Sequence, residues 1–185
     1  MPLILEETVP VPKVLDTQRI YEGKIINLRV DDVELTQGHR TRVEVVEHRG
    51  GVAIAAAPAP GGVVLVRQYR HATGHAVWEV PAGKIDPGEA PAVTARRELE
   101  EETGFRCERL RRLWSFFTSP GFCNELIHLF VAEGLTVGSP RPDLDELIEV
   151  KVFDLEQAWA MVLRDELPDA KTQIALAWLR GAVVT

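Results

Sequence analysis

Between Gly83 and Phe105 the chain reads GKIDPGEAPAVTARRELEEETGF, and this stretch holds the residues best able to do chemistry. Glu98, Glu101 and Glu102 stand at i, i+3 and i+4, so at about 100° per residue they share one stripe of a helix. Glu100 adds a fourth carboxylate to the same end. The helix dipole is already negative there, and each misplaced charge costs about 0.3–1 kcal/mol. Two readings meet this pattern. In the first, the stripe is a solvated acidic face, relieved by Arg96 and Arg97 pairing with Glu100 and Glu101; such pairs are worth about 0.2–0.5 kcal/mol, and Arg before Glu is the weaker order. In the second, the carboxylates gather a hard divalent cation, which takes oxygen ligands from a few carboxylates, phosphates and water.

The elements that must position these groups are legible nearby. Pro91 suits a first helical turn, where its missing N–H is no loss, and Gly104 suits the left-handed position just past a helix end. The spacing therefore predicts a helix over 91–103, fed by a turn-rich loop from Gly83 to Glu89. Ala92, Ala95 and Leu99 form an apolar stripe beside the carboxylates, which puts the acids at the edge of the buried face.

Gly83, five residues, Glu89, seven residues, then Arg97-Glu98-Leu99-x-Glu101-Glu102-x-Gly104-Phe105 resembles the Nudix box at every position. At residue frequencies of about 5–7%, seven fixed identities would meet by chance roughly once in a million chains or less, so the spacing carries real information. The resemblance implies an α/β fold, an α/β/α sandwich around a mixed sheet. It also implies metal-dependent hydrolysis of a diphosphate joined to another group. By the same resemblance Glu98 and Glu102 are the main ligands of Mg²⁺ (or Mn²⁺), Glu101 is a further ligand or acts through water, and the carbonyl of Ala82 completes the site. Glu89 and Arg97 are expected to pair and hold the loop to the helix, with Gly83 and Gly104 serving backbone geometry. The general base is expected either within the box or on a later loop, where Glu146 is the best positional match and Glu149 and Asp145 are rivals. An acidic solvent loop is the other reading of those residues.

Substrate choice must come from outside the box. Ser119-Pro120-Gly121-Phe122-Cys123-Asn124-Glu125 places Pro120 sixteen residues beyond Gly104. It looks like the marker of the ADP-ribose pyrophosphatase subfamily. That resemblance implies cleavage of ADP-ribose to AMP and ribose 5-phosphate, with Pro120, Gly121 and Glu125 at the substrate. Arg70 matches an arginine that contacts the diphosphate, a task suited to its planar two-donor fork. Arg49 and Arg67 are further candidates, and Tyr21, Phe122 and Trp78 are alternatives for stacking on a base. The other readings are hydrolysis of a GDP-mannose or UDP-glucose type of sugar nucleotide, and a catalytically silent domain that binds a nucleotide for regulation.

With 185 residues, 45% apolar, the chain can build one well-buried core. Its net charge of −7 disfavours nucleic acid or an anionic membrane as partner, since both are held by excess Lys and Arg. Only Cys107 and Cys123 are present, too few for a disulfide framework or a four-ligand zinc site. The start MPLILEETVP lacks a basic region followed by an apolar run, and no stretch has the length to span a bilayer, so a cytoplasmic protein is expected.

Along the chain, residues 1–13 carry Pro2, Pro10 and Pro12 and read as an extended lead-in. KIINLRVDDVEL and TRVEVVEH read as strands about the turn TQGHR. Residues 1–48 are thus expected to be an extended segment and strands, an arm of the same domain with too little apolar content for its own core. The resemblance implies that this arm packs on a second subunit in a homodimer, with 49–185 as the hydrolase domain. GGVAIAAA and GVVLVRQY read as buried central strands. LRRLWSFFTS, ELIHLFVAEGL and LIEVKVFDL follow as strands, and LEQAWAMVLRDE and DAKTQIALAWLRG as helices, the last capped by Asp169 and closing near Gly181.

Overall fold

The structure is a computed structural model that describes residues 10–139 and 147–184. These form two compact units, the first running up to Arg49 and including Ser119–Glu125, the second comprising Gly50–Thr118 and the residues from Leu126 on.

The first unit is a three-stranded antiparallel sheet, β1 (Lys13–Glu22), β2 (Ile26–Glu34) and β3 (Arg40–His48), with a 3-10 turn over Thr36–Gly38 between the last two. Every residue of β1 is exposed. Asp31 is buried and is satisfied by Thr17 Oγ1 at 2.9 Å and Arg29 Nε at 3.1 Å. The Ser-Pro-Gly stretch is stitched to β3: Val46 N–H donates to the Phe122 carbonyl at 2.7 Å, and Asn124 N–H to the Val46 carbonyl at 3.1 Å.

The second unit holds β4 (Gly51–Ala56), β5 (Gly62–Arg70), β6 (His75–Glu79), β7 (Ala82–Lys84), α1 (Pro91–Thr103), β8 (Phe105–Phe117), β9 (Leu126–Val137), β10 (Ile148–Asp154), α2 (Leu155–Leu163) and α3 (Ala170–Val184). One sheet has the order β7-β4-β9-β8 and is mixed, with β4 and β9 parallel and its other pairs antiparallel; the second is antiparallel, β10-β5-β6. Alternation along the strands builds two cores. Ala53, Ala55, Val63 and Leu65 meet Leu155, Ala158, Ala175 and Leu176 of α2 and α3, whereas Val52, Ile54, Ala56 and Val64 meet Ala95 and Leu99 of α1. A strand buried on both faces reads as a continuous apolar run, which is why GGVAIAAA lacks the alternation of a surface strand. The result is an α/β arrangement around a mixed sheet with helices on both faces. α3 continues through Gly181, where the sequence places its end; the glycine sits at an exposed position, and one there costs a helix only about 1 kcal/mol. Among the described residues, no helix is long and apolar enough to cross a membrane.

Candidate active site

The loop and helix around the carboxylates are locked by Glu89. It accepts from Arg97 Nε at 3.3 Å and Nη2 at 3.0 Å, and from Thr94 Oγ1 at 2.8 Å. These contacts hold the Glu89 carboxyl below its ordinary range, the Arg97 hydrogen bond first and the Thr94 bond second. The helix starts at Pro91 without a side-chain cap and stops at Gly104, whose φ of 73° lets its N–H reach the Glu100 carbonyl at 2.8 Å. Its buried residues are Thr94, Ala95, Leu99, Glu102 and Thr103. Ala92, expected on the apolar stripe, is exposed, and Thr94 lies inside in its place.

The charges in the last turns are met from several sides. Arg97 Nη1 bridges Glu98 Oε1 and Glu101 Oε2, each at 2.9 Å, and Arg106 Nη2 takes Glu100 Oε1 at 2.5 Å. The Glu89 hydrogen bond, followed by those of Glu101 and the charge of Glu98, drives the Arg97 pKa well upward, so its charge is fixed. Arg96 does not pair with Glu100. It donates to the Cys107 carbonyl at 2.9 Å, because β8 turns back beside the helix and brings Arg106 to Glu100 instead.

Two adjacent residues of β7 receive the other acids. Antiparallel pairing sets Ala82 opposite Ala53 and Gly83 opposite Val52. Glu102, only 3% exposed, accepts the Ala82 N–H at 3.1 Å through Oε2. Glu98 lies so close over Gly83 that a Cβ there would stand 2.0 Å from its Cδ and 2.1 Å from its Oε1. No three His, Cys, Asp or Glu side chains among the described residues already surround one point as a metal site. Glu98 and Glu101 are turned onto the Arg97 guanidinium, which supplies the positive charge between them. The donors are nonetheless of one kind, carboxylate oxygens beside a backbone strand, and that set fits a hard cation such as Mg²⁺ rather than a thiophilic one.

A second polar group, which the sequence reading missed, adjoins this strand. Glu79 is buried at 3% exposure and is clasped by Arg70, Nε to Oε1 at 2.8 Å and Nη2 to Oε2 at 3.0 Å, and by Lys171 Nζ at 2.5 Å. Burial pushes the Glu79 pKa up, but the Arg70 hydrogen bond and the Lys171 charge outweigh it and hold it below the ordinary value. Asp169 caps α3 as expected, accepting the Thr172 N–H at 2.9 Å, and also accepts from Lys171 Nζ at 2.8 Å. In the sequence Arg70 and the Asp169 cap stood out singly, and Glu79, Lys171 and Thr172 did not.

In the first unit His48 Nδ1 stands 3.2 Å from Glu125 Oε1, and the His48 N–H donates to Asn124 Oδ1 at 2.7 Å. A cavity of about 190 Å³ in that unit is lined by Gly23, Lys24, Ile25, Asn27, Glu47, His48 and Arg49. Pro120 and Gly121 form a turn closed by the Phe122 and Cys123 N–H groups on the Ser119 carbonyl. Tyr21 and Phe122 are exposed, whereas Trp78 is half-buried and packs edge-on against Phe153 with centroids 5.0 Å apart. Glu149 is on β10, 3.7 Å from Arg67, rather than on a loop. Glu146 and Asp145 lie outside the described residues.

A helix carrying paired acids, set against a strand and a loop locked by an Arg–Glu pair, defines the class. Residues 47–176 match the NUDIX domain, and the chain belongs to the Nudix hydrolase family. It is 42% identical over 170 residues to the ADP-ribose pyrophosphatase of Bacillus subtilis (strain 168), covering 91% of this chain and 92% of that protein. It is equally similar, with the same identity and coverage, to the methanol dehydrogenase activator of Bacillus methanolicus. A solved crystal structure of an ADP compounds hydrolase superposes with a TM-score of 0.82 over 95% of this chain and 98% of its own, at 24% identity, which bears on the fold alone. The chain is thus a hydrolase by family.

Proposed function

We propose that this Nudix hydrolase cleaves the diphosphate of ADP-ribose, giving AMP and ribose 5-phosphate. The observation that carries the chemistry is the set of carboxylates on α1 lying against Ala82 and Gly83. The substrate rests on the similarity to the pyrophosphatase of Bacillus subtilis over nearly the whole of both chains. Glu98, Glu101, Glu102 and the Ala82 carbonyl would hold Mg²⁺, with Mn²⁺ as an alternative. When bound, the cation neutralises phosphate charge and eases deprotonation of the attacking water.

The chain's own residues do the rest. In the hydrolysis a water oxygen joins one phosphorus, the bridging P–O bond breaks, and two phosphate monoesters leave. Arg97 keeps Glu98 and Glu101 from repelling one another, and Glu89 keeps Arg97 in place. Glu146 is proposed as the base that takes the proton of the water. Arg70, fixed by Glu79, is proposed to face the diphosphate, and Arg49, Pro120, Gly121 and Glu125 the nucleoside or sugar. The exposed Val14, Leu15, Ile20 and Tyr21 of β1 favour a homodimer through the first unit, which light scattering at micromolar concentration would test; a monomer there would count against it.

Product analysis tests the activity directly, with ADP-ribose, GDP-mannose, UDP-glucose, NADH and diadenosine polyphosphates, with Mg²⁺ and with chelator. AMP formed fastest from ADP-ribose, and lost with chelator, is the expected result. Faster cleavage of a guanine or uracil sugar would move the substrate to the sugar nucleotides, and nucleotide binding without turnover would leave a regulatory domain.

A further inference from the structure

We propose that Thr172, with Asp169 and Lys171, is a positioning residue: the first turn of α3 sets the strand that brings Ala82 to Glu102. The proposal rests on reading Ala82, Glu98 and Glu102 as the cation-holding residues.

Thr172 is fully buried, and its hydroxyl is used on both sides. It accepts the Val80 N–H at 2.8 Å and donates to Asp169 Oδ2 at 2.5 Å. An ionised carboxylate only accepts, so the direction of the second bond is fixed and the hydroxyl oxygen is left facing Val80. Asp169 in turn holds Lys171, and Lys171 reaches Glu79, the residue before Val80. From there the chain is tied at each step. The Pro81 carbonyl accepts the Ile54 N–H at 2.8 Å, and the Ala82 N–H donates to Glu102 Oε2 at 3.1 Å.

Four consecutive residues are therefore anchored: Glu79 by β5 and α3, Val80 by α3, Pro81 by β4 and Ala82 by α1. With only two residues between Glu79 and Ala82, a displacement at Val80 has no slack in which to dissipate before it reaches the site. Valine in place of Thr172 would fill the same volume but leave the Val80 N–H buried without its acceptor, and the strand would shift to find another. Cation–ligand distances in formed sites keep to about 0.2 Å of their standard values, so a strand shift larger than that takes the ligand it carries out of place.

The test is Mn²⁺ binding to the nucleotide-free protein, followed by the EPR signal of free Mn²⁺, for wild type, Thr172→Val, Thr172→Ser and Glu102→Gln, with a thermal melt of each. Thr172→Val should weaken Mn²⁺ binding about 10–100-fold, the range typical of groups that orient ligands without touching the ion. Thr172→Ser, which restores the hydroxyl, should return binding to within about twofold of wild type on that same scale. A folded Thr172→Val with unchanged Mn²⁺ affinity and only a lower melting temperature would overturn the proposal. If Thr172→Val does not fold, Asp169→Asn decides: it keeps a capping oxygen while weakening the hold on Lys171, and unchanged Mn²⁺ affinity there would equally overturn it. A wild type that binds no Mn²⁺, or a Glu102→Gln that binds it as well as wild type, would instead sink the cation reading on which this rests, and the proposal with it.

Discussion

Replacing Gly83 with alanine should disable the enzyme while leaving the fold almost intact. The new Cβ would stand 2.0 Å from Glu98 Cδ, 2.1 Å from Oε1 and 2.5 Å from Cγ, and no backbone atom appears among its three nearest neighbours. Since carbon atoms rest about 3.5 Å apart, the Glu98 carboxyl must withdraw by about 1.5 Å. It can do so, because it is the far end of a flexible side chain, so the cost in stability should be about 1 kcal/mol, or a melting shift of about 2–4 °C. Catalysis is less forgiving. A misplacement of about 1 Å can cost on the order of 100-fold, and turnover of Gly83→Ala should fall at least that far. Initial rates on ADP-ribose over a Mg²⁺ titration, beside a thermal melt, check both halves. Turnover within about threefold of wild type would refute the placement of Glu98 in the chemistry, on the same distance scale. A melting temperature lowered by about 10 °C or more would refute the claim that the side chain yields before the fold does.

Glu102→Gln keeps an oxygen that can accept the Ala82 N–H, so it should melt at or above the wild-type temperature while turnover falls by orders of magnitude; an early-melting variant with normal specific activity would contradict the assignment. Glu146→Gln should lower turnover with little change in the Mg²⁺ concentration for half-maximal rate, and unchanged turnover would return the base to the box. Glu79 and Glu89 both titrate below their ordinary carboxylate range in the folded chain, so the unfolded chain binds more protons as acid is added. The stability they contribute is complete above about pH 4.5 and is lost as pH falls through their lowered values, so melting temperature should drop on acidification, and less steeply in Glu89→Gln.

The box was legible because a helix and a turn are local. Pro91, Gly104 and the Glu stripe carry their own geometry, and the helix runs over Pro91–Thr103 as the spacing predicts. What surrounds it came from contacts far apart in sequence. Lys171 and Thr172 reach Glu79 and Val80 across 92 residues each, and nothing in the local pattern of either segment announces the other. Arg70 stood out from its type and place, whereas the buried carboxylate that holds its fork, nine residues on, did not. Arg96 illustrates the same limit in small: the i,i+4 rule offers Glu100, yet β8 returns to give Glu100 a different arginine. Propensity sees the helix, not what packs beside it.

The fixed spacing of the box follows from which gaps can absorb a change. Between Glu89 and Arg97 most residues are helical, and the pair spans the start of α1. An extra residue within the helix would turn everything beyond it by about 100°, carrying Glu98 and Glu102 off β7 together. The gap from Gly83 to Glu89 is of another kind, closing through the Glu89 N–H on the Asp86 carbonyl at 3.0 Å and the Ile85 N–H on the Gly50 carbonyl at 3.3 Å. A change of length there leaves the helical phase untouched but moves Glu89 relative to Gly83, and so pulls Arg97 away from the acids it spans. Both spacings thus serve one requirement, that Arg97 and the strand at Ala82 and Gly83 close together on the carboxylates of α1, with Glu98 met by both.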